Sequence, residues 1–307
     1  MKLGLSIGNT TVGTAAYMVS VSRAAEELGF DSVWVADHVV WPESYDTPYP
    51  YGGDDDKYPG TVDTPAAEAV TSMTWVSAHT SRVAVGSLVL VLPQREPWLL
   101  AKQVATLDAM NGGRTVLGVG AGWLREEFDV LHAPFDDRAD RMAEMVALLR
   151  AVWTEHPVAF GGRFWQAPPV GVLPHPVQRP VPIWIGGDTP AARRRVADYG
   201  DGWAAFGLPP EAYRDGWASI TRRAADRGRD PGSLTAMLWE PLLFDPAGDA
   251  DPMVPLHGGA GVLVDRLAAY RDAGVDHFVM FNLAPAEAMV DQLAALAEEV
   301  LPAVHDL

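Results

Sequence analysis

The chain has 307 residues, of which 48% are hydrophobic, and its 40 acidic and 23 basic side chains give a net charge of −17. This composition supports a sizeable core, and the length allows two domains or one large barrel. The excess of acidic residues argues against a nucleic-acid partner, because phosphate contacts need clustered Lys and Arg, and the absence of cysteine excludes disulfides, thiolate metal sites and a cysteine nucleophile.

The first segment in chain order, residues 3–22, is uncharged and superficially resembles a signal peptide. Polar side chains such as Ser6, Asn9 and Thr14 interrupt any apolar stretch within it. Apolar runs elsewhere, such as residues 83–93, fall short of the roughly 20 residues that a membrane-spanning helix needs. We therefore expect a soluble, cytoplasmic protein.

One type of junction recurs along the chain, at residues 27–31, 199–202 and 273–276. In each, a helix-like segment runs into a glycine, an aspartate follows, and a β-branched or aromatic run begins. Glycine accepts the left-handed conformation that closes a helix, and the short polar link then begins a strand. The pattern predicts three helix-to-strand turns.

Alternating strand and helix signals extend this pattern over the whole chain. Strands are predicted near 2–8, 31–36, 83–90, 114–119, 181–186, 202–206, 235–244 and 276–281, and helices near 14–28, 64–79, 96–110, 137–153, 189–199, 209–227, 258–273 and 285–301. Strict alternation indicates parallel pairing with right-handed crossovers. The predicted fold class is therefore α/β, with residues 1–307 forming a single (β/α)8 TIM barrel domain.

Two stretches exceed a minimal barrel and are predicted to be insertions. Residues 41–63, after strand two, contain Tyr45, Tyr49, Tyr51 and Tyr58 and an acidic run at 54–56 that we interpret as a solvated face. Residues 154–179, before strand five, are rich in proline. Because the first insertion follows the C-terminal end of a strand, where barrel enzymes place their sites, its aromatic content favours a lid.

Two glycine-rich turns follow predicted strands. The turn at 118–123 fails as a dinucleotide fingerprint because Trp123 occupies the position of the third glycine, and an ordinary tight turn remains open for it. The turn at 186–190 has two glycines, possible helix caps and a proline suited to the first helical turn. Its bare glycines and free N–H groups are compatible with a phosphate site or with an ordinary capped turn.

Asp37 and His38 end strand two at the rim where a barrel displays catalytic groups, and Trp41 follows in the same loop. A histidine can exchange a proton near neutral pH, so His38 is a candidate catalytic residue, with a packing role as the alternative. No metal site is predicted, because the chain contains neither His-x-His nor His-Glu-x-x-His. It also lacks the G-x-S-x-G and Walker motifs of common hydrolases and nucleotide triphosphatases.

Several segments resemble the bacterial luciferase-like flavin and deazaflavin oxidoreductases, in particular their F420-dependent branch. They are residues 29–38, 93–97, 99–108, 117–128 and 183–203. The resemblance runs in ordered succession to about residue 206, and the last hundred residues match only in layout. It implies a (β/α)8 barrel that holds an isoalloxazine-like ring at its C-terminal end.

The resemblance also implies roles for individual residues. Asp37 and His38 would lie near the ring, Trp41 and Trp123 would contact the substrate, a non-prolyl cis peptide would join Leu88 and Val89 behind the ring, and Gly120, Gly122, Gly186, Gly187, Asp188 and Thr189 would contact the cofactor phosphate. The sugar-phosphate dehydrogenases of this family carry a glutamate where this chain has Trp123, which argues against sugar-phosphate oxidation. Glu126 and Glu127 lie further along, at positions compatible with the surface of the following helix.

The predicted function is hydride transfer between F420 and a small, largely apolar organic substrate. FMN-dependent monooxygenation and a non-catalytic flavin-binding barrel remain as alternatives, and a homodimer is expected from the resemblance alone. F420 and FMN share a tricyclic ring and a ribityl phosphate, whereas F420 adds an anionic lactyl-glutamate tail. Candidate partners for that tail are the arginines that flank the loops after strands three and four: Arg95, Arg125, Arg138 and Arg141.

Overall fold

The computed structural model describes residues 1–7, 15–52, 57–58, 60–245 and 256–307. Its strands are β1 (Lys2–Ser6), β2 (Ser32–Val35), β3 (Ala84–Ser87), β4 (Leu90–Val91), β5 (Thr115–Gly120), β6 (Val158–Gly161), β7 (Gln166–Val170), β8 (Ile183–Gly186), β9 (Gly202–Phe206), β10 (Thr235–Phe244), β11 (Leu256–Gly258) and β12 (His277–Asn282). Its α-helices are α1 (Ala15–Leu28), α2 (Ala69–His79), α3 (Pro97–Asn111), α4 (Arg125–Val130), α5 (Arg138–Thr154), α6 (Pro190–Tyr199), α7 (Pro210–Asp226), α8 (Ala260–Asp272), α9 (Met289–Glu299) and α10 (Leu301–Asp306).

Eight parallel strands close into a barrel in the order β1, β2, β3, β5, β8, β9, β10, β12, with β12 pairing back to β1. Leu5 of β1 lies opposite Val33 on one side and Met280 on the other. The predicted (β/α)8 TIM barrel is confirmed. Each of the eight barrel strands coincides with one of the predicted strands to within a few residues.

The apolar side chains form two layers, inside the barrel and between the strands and the surrounding helices. Inside, Trp34 stacks on Trp184 with ring centroids 5.1 Å apart. So large a ring needs small neighbours, and a Cβ at Gly86 would lie only 2.3 Å from Trp34. The inner layer is therefore filled by a few bulky residues surrounded by glycines, so the barrel has a packed core.

Helix α3 illustrates how local sequence sets the bounds of an element. Its N-cap Glu96 accepts a hydrogen bond from the N–H of Leu99 at 2.6 Å, and Pro97 occupies the first turn, where its missing N–H is not needed. Gly112 ends the helix in the left-handed conformation. No helix in the described ranges is both long enough and apolar enough to cross a membrane.

The glycine junctions follow the prediction in two of three cases. Gly29 and Gly274 close their helices with φ of +93° and +100°. Gly200 differs, because its φ is −78° and its backbone is extended. A Cβ there would lie 2.7 Å from Ile185 and 3.0 Å from the Cα of Val196. Glycine is needed at this junction for close packing of α6 against β8, and the predicted left-handed conformation is wrong.

The second insertion contains structure that the sequence pattern did not indicate. β6 and β7 pair as an antiparallel hairpin, with Phe160 opposite Ala167. The carboxylate of Glu144 on α5 accepts hydrogen bonds at 2.8 to 2.9 Å from three successive backbone N–H groups, at residues 163 to 165, in the hairpin turn. The insertion is thus fixed to the outside of the barrel. In the first insertion, residues 53–56 and 59, which include the acidic run, lie outside the described residues.

Candidate active site

The residues predicted to form the site lie on loops at one rim of the barrel. Asp37 and His38 follow β2, the Leu88–Val89 peptide follows β3, one glycine turn follows β5 and the other follows β8. Because all eight barrel strands are parallel, their C-terminal ends share this rim. The Leu88–Val89 bond is a non-prolyl cis peptide, as the resemblance predicts.

Three of the four turn glycines have a packing reason. A Cβ at Gly120 would lie 2.9 Å from Val89 Cγ2, and one at Gly186 would lie 2.8 Å from Val89 Cγ1. A Cβ at Gly122 would lie 2.5 Å from the ring of Phe128. Glycine is therefore required at these positions whether or not a phosphate approaches them.

Gly187 differs from these three because the space beside it is open. Its φ is +96°, and the nearest atoms to a Cβ there would be Ala192 Cβ at 3.5 Å and the Tyr51 hydroxyl at 3.9 Å. The indole N–H of Trp203 donates to the Gly187 carbonyl at 2.7 Å, and Thr189 caps α6 by accepting from the Ala192 N–H at 3.1 Å. This turn provides a held, concave backbone at a helix start, which suits a phosphate.

Asp37 is buried, and protein groups engage both of its carboxylate oxygens. Arg95 Nη2 lies 2.6 Å from Oδ1, and the Val91 N–H donates to Oδ2 at 2.9 Å. Burial raises the pKa of Asp37, while the Arg95 charge and the Val91 N–H oppose that rise. Asp37 therefore links the end of β2 to the loop after β3. It acts on a ligand indirectly, by positioning that loop.

His38 forms a pair with Glu127 of α4. Its Nδ1 lies 3.1 Å from Glu127 Oε2, while Oε1 accepts the Val39 N–H at 2.7 Å. Burial would raise the pKa of Glu127, but the hydrogen bonds and the charge of His38 lower it below its usual value. An ionised carboxylate only accepts hydrogen bonds, so Nδ1 donates and the proton of neutral His38 sits there. Nε2 then carries the lone pair that a ligand can use.

Glu127 was not among the candidate residues, and the interpretation of it as a residue of a helix surface is wrong, because its side chain is only 1% exposed. Its neighbour Glu126 accepts hydrogen bonds from the N–H of Asp46 and from the N–H and hydroxyl of Thr47, at 2.8 to 3.2 Å. The available sequence signal was two adjacent glutamates three residues after the glycine turn that ends at Trp123. The two carboxylates together fix the first insertion to α4.

An aromatic roof, defined as Trp41, Tyr45, Tyr49, Tyr51, Tyr58 and Trp123, covers the rim. Trp41 contacts His38 with ring centroids 3.9 Å apart and stacks on Tyr58 at 4.8 Å. Trp123 packs edge-on against Tyr49 at 5.2 Å. Tyr51 reaches Phe206 at the end of β9, with ring centroids 5.2 Å apart. The roof therefore spans the barrel mouth from β2 to β9 and contains both predicted substrate residues, Trp41 and Trp123.

The indole nitrogen of Trp41 is buried and has no hydrogen-bond partner among the residues that the structure describes. Buried donors are rarely left unsatisfied in folded proteins, so an unpartnered one beside His38 indicates a place for a ligand acceptor atom. In the described parts of the chain, no group of three or more His, Asp or Glu side chains is arranged to hold a metal ion.

The four arginines proposed for the cofactor tail are not equivalent. Arg95, Arg125 and Arg141 each form an ion pair with an aspartate, at 2.6, 2.6 and 2.8 Å. Arg138 instead donates to two backbone carbonyls, those of Gly122 and Phe135, at 3.1 and 3.0 Å. Of these four, Arg138 is the one with no carboxylate at ion-pair distance in the part of the chain that the structure describes.

A closed parallel barrel with a histidine–glutamate pair at its carboxyl rim places the protein among the (β/α)8 barrels that bind ligands at this face. The family model described as luciferase-like monooxygenase matches residues 4–250, and the chain belongs to that family. An uncharacterised protein of Mycobacterium tuberculosis is 32% identical over 214 residues, covering 69% of this chain and 73% of that protein.

Two further comparisons extend over nearly the whole chain. An F420-dependent glucose-6-phosphate dehydrogenase of Nakamurella multipartita is 29% identical over an aligned length of 337 residues, covering 94% of this chain and 93% of the relative. The solved structure of an F420-dependent secondary alcohol dehydrogenase, in complex with an F420-acetone adduct, superposes with a TM-score of 0.80 at 20% identity. The superposition covers 99% of this chain and 98% of the alcohol dehydrogenase chain. At 20% identity, this similarity shows a shared fold.

Proposed function

We propose that this protein is an F420-dependent oxidoreductase that transfers hydride between the deazaflavin and a small, largely apolar organic substrate. The observation that carries the proposal is His38, which Glu127 orients and which contacts the ring of Trp41, whose indole N–H has no partner among the described residues. The family membership and the F420-dependent relative that matches 94% of this chain support the choice of cofactor.

The residues at the rim fit such a cofactor. The open backbone at Gly187, followed by Asp188, Thr189 and the start of α6, would hold the phosphate, and Leu88 and Val89 would support the ring. Gly120 and Gly122 would line the same seat from the neighbouring turn. When bound, F420 accepts or donates a hydride at its ring, and the protein supplies orientation and a dry environment.

His38 and Trp41 are the residues that we expect to act on the substrate. Oxidation of an alcohol removes a hydride from carbon and a proton from oxygen, and reduction of a carbonyl reverses both transfers. His38 Nε2 would take or return the proton, and the Glu127 carboxylate would stabilise the charged imidazole. The indole N–H of Trp41 would donate to the substrate oxygen, which accounts for its lack of a partner in the described ranges.

Trp123 favours an apolar substrate over a sugar phosphate. Its ring packs against Tyr45 and Tyr49, with centroids 5.8 and 5.2 Å away, so the wall at this position is aromatic. A sugar phosphate needs charged or hydrogen-bonding partners around its substituents. We therefore propose a different substrate class from that named for the Nakamurella relative.

The alternatives are FMN-dependent monooxygenation, which the family description names, and a barrel that binds flavin without turnover. Titration of the purified protein with F420 and with FMN at matched ionic strength separates them, with ligand absorbance as the readout. We expect F420 to bind and FMN to bind more weakly. Tight FMN binding without F420 binding would replace the proposal with the monooxygenase. F420 binding without turnover of alcohols or carbonyls would favour the non-catalytic barrel.

We further propose a single-domain, cytoplasmic protein that forms a homodimer through its outer helices. A groove of about 670 Å³ lies between α1, α2 and α3, and of the described residues that line it Lys102 is the one that is charged. Trp75 and Met110 at this groove are 43% and 75% exposed. In a chain of net charge −17, two copies meet with least repulsion on a face without acids. Light scattering on the wild type and on Trp75→Glu tests this, with a dimer expected for the wild type and a monomer for the variant.

A further inference from the structure

The side chain of Gln94 carries a buried amide that the proton transfer described above does not use. Gln94 is the last residue of the short helical turn Leu92–Gln94, which follows β4. Its amide nitrogen and its amide oxygen are both buried, and neither has a hydrogen-bond partner of good geometry among the described residues. Buried amides are rarely left unsatisfied in folded proteins, so this amide calls for a specific reason.

The turn that carries Gln94 is fixed to Asp37 on both sides. Before it, the Val91 N–H donates to Asp37 Oδ2 at 2.9 Å, and after it, Arg95 Nη2 lies 2.6 Å from Asp37 Oδ1. The backbone N–H of Arg95 also donates to the Leu92 carbonyl at 3.1 Å, which closes the turn. The residue after Asp37 is the candidate catalytic histidine. The turn is therefore held in a defined position relative to that histidine.

The group that the Gln94 amide approaches is the carboxylate of Glu127, because the Gln94 side chain contributes to the lowered pKa of that carboxylate. Glu127 Oε1 accepts the N–H groups of Val39 and Val40, at 2.7 and 3.2 Å. Oε2 accepts His38 Nδ1 at 3.1 Å. Each carboxylate oxygen can accept two hydrogen bonds, so Oε2 has room for a second donor. The amide of Gln94 provides such a donor at this place.

We propose that Gln94 is a positioning residue that donates an amide N–H to Glu127 Oε2 and so keeps this oxygen directed at His38 Nδ1. A rotation of the Gln94 side chain completes the bond and satisfies its buried nitrogen. An amide suits the task because it is neutral. It holds the carboxylate in place without pairing with its charge, which stays available to a protonated His38.

This role also explains why an aspartate directly precedes His38. Asp37 fixes the turn, the turn presents Gln94, and Gln94 supports the carboxylate that orients His38. The consequence for proton transfer rests on the proposed function. The orientation of His38 does not rest on it, because it involves residues of this chain alone.

The test measures the tautomer of His38 in the protein without cofactor. ¹⁵N NMR at about pH 8.5, where an ordinary imidazole is neutral, distinguishes a ring protonated on Nδ1 from one protonated on Nε2. His38→Ala identifies the signals of His38 among those of the eight histidines. Gln94→Met removes the amide and keeps the length of the side chain, and Gln94→Asn keeps the amide but withdraws it by one methylene.

Gln292→Met is the matched control. Gln292 lies on α9, and its amide oxygen is also buried without a partner among the described residues. Its amide nitrogen donates to the Phe244 carbonyl at 2.9 Å, so the control loses a hydrogen bond that the structure shows. Melting temperatures of all variants establish that they are folded.

In the wild type, we expect neutral His38 to carry its proton on Nδ1. Gln94→Met should shift the ratio of the two tautomers toward Nε2–H by about threefold to tenfold, the equivalent of one hydrogen bond. Gln94→Asn should shift the ratio less and in the same direction. Gln292→Met should leave the ratio unchanged.

An unchanged tautomer ratio in folded Gln94→Met would overturn the proposal, as would a wild-type His38 protonated on Nε2. If Gln94→Met does not fold, Gln94→Asn decides the question by the presence or absence of the same shift. Equal shifts in Gln94→Met and Gln292→Met would reduce the effect to general loosening and overturn it as well. If the tautomer shifts as expected and F420 does not bind, the positioning role stands and the proposed function fails.

Discussion

At the scale of single residues, the orientation of one imidazole depends on one buried carboxylate. Glu127 is bonded to His38 Nδ1 and to the backbone N–H groups of Val39 and Val40, at 3.1, 2.7 and 3.2 Å. These bonds fix the tautomer and the direction of the ring together. Glu127 is therefore a positioning residue that acts through His38, and Glu126 next to it holds the roof.

Substitutions at the two glutamates should separate these roles. Glu127→Gln keeps the side-chain shape but removes the charge that stabilises a protonated His38, so we expect kcat to fall tenfold or more, consistent with the ~10²-fold typical of a disturbed acid–base group. Glu126→Gln should raise KM with little change in kcat, because it loosens the insertion around Thr47. Steady-state kinetics with a pH profile gives both readouts. Equal kcat values for Glu127→Gln and wild type would contradict the positioning role.

Gly187 carries the phosphate prediction at the same scale. Gly187→Val should abolish F420 binding, since the side chain fills the open cradle and the residue has φ of +96°. Gly228→Val is the matched control: Gly228 has φ of +74° with open space around it, and it lies beyond the end of α7. We expect similar stability losses from both variants, of roughly 1–2 kcal/mol, with binding lost only at Gly187. Unchanged affinity in a folded Gly187→Val would place the seat elsewhere.

At the scale of elements, three strand ends approach one another closely at the rim. This packing explains Gly120 and Gly186, which the sequence analysis interprets as phosphate contacts. Val89 after β3 inserts its two methyl groups toward Gly120 of β5 and Gly186 of β8. The interpretation of these glycines as phosphate contacts stays a prediction, but packing already demands them. The two explanations can be separated by a double substitution.

Gly186→Ala should destabilise the protein by about 1–3 kcal/mol through overpacking against Val89. Adding Val89→Ala removes the methyl groups that the new Cβ meets, so the double variant should lose less than the sum of the two single losses. Chemical denaturation of the wild type, Gly186→Ala, Val89→Ala and the double variant gives the free energies of unfolding for this double-mutant cycle. Additive losses would show that the Gly186–Val89 contact is unimportant, and the phosphate would then be the better reason for the glycine.

At the scale of the whole molecule, a buried acid makes stability depend on pH. Glu240 of β10 is 2% exposed, and burial raises its pKa from 4.5 to about 8, with only the Leu208 N–H opposing this. Between these values the folded protein binds a proton that the unfolded chain has lost. The contribution of Glu240 to stability is therefore fully present below pH 4.5 and is lost as pH rises through about 8.

Glu240→Gln cannot titrate, so its melting temperature should exceed that of the wild type by several degrees at pH 9 and by little at pH 5. Glu26 provides a control of opposite sign. Backbone and side-chain hydrogen bonds from residues 81 to 83 overcome burial and lower its pKa to about 2. Glu26→Gln should therefore lose stability above pH 4.5 and lose less as the pH falls toward 2. A Tm difference between Glu240→Gln and wild type that does not vary with pH would contradict the buried-acid account.

The barrel and the location of its site follow from local sequence. The periodicity of strands and helices, the glycines that end helices and the prolines that begin them each act over a few residues. Parallel pairing places the ends of β2, β3, β5 and β8 on one rim, so His38 and both glycine turns could be predicted together. The β6–β7 hairpin could not be, since its fixing depends on Glu144 of another element.

Only the tertiary structure determined which distant residues contact each other. His38 and Glu127 are 89 residues apart and meet only when β2 and α4 are brought to the same rim. Glycine is needed at position 186 because Val89 packs against it. It is needed at position 200 because Ile185 of another element packs closely there. Which aspartate pairs with Arg95 is settled in the same way, because an ion pair depends on where distant residues come to lie. Local sequence sets conformation, whereas contacts between distant residues form only when the barrel closes.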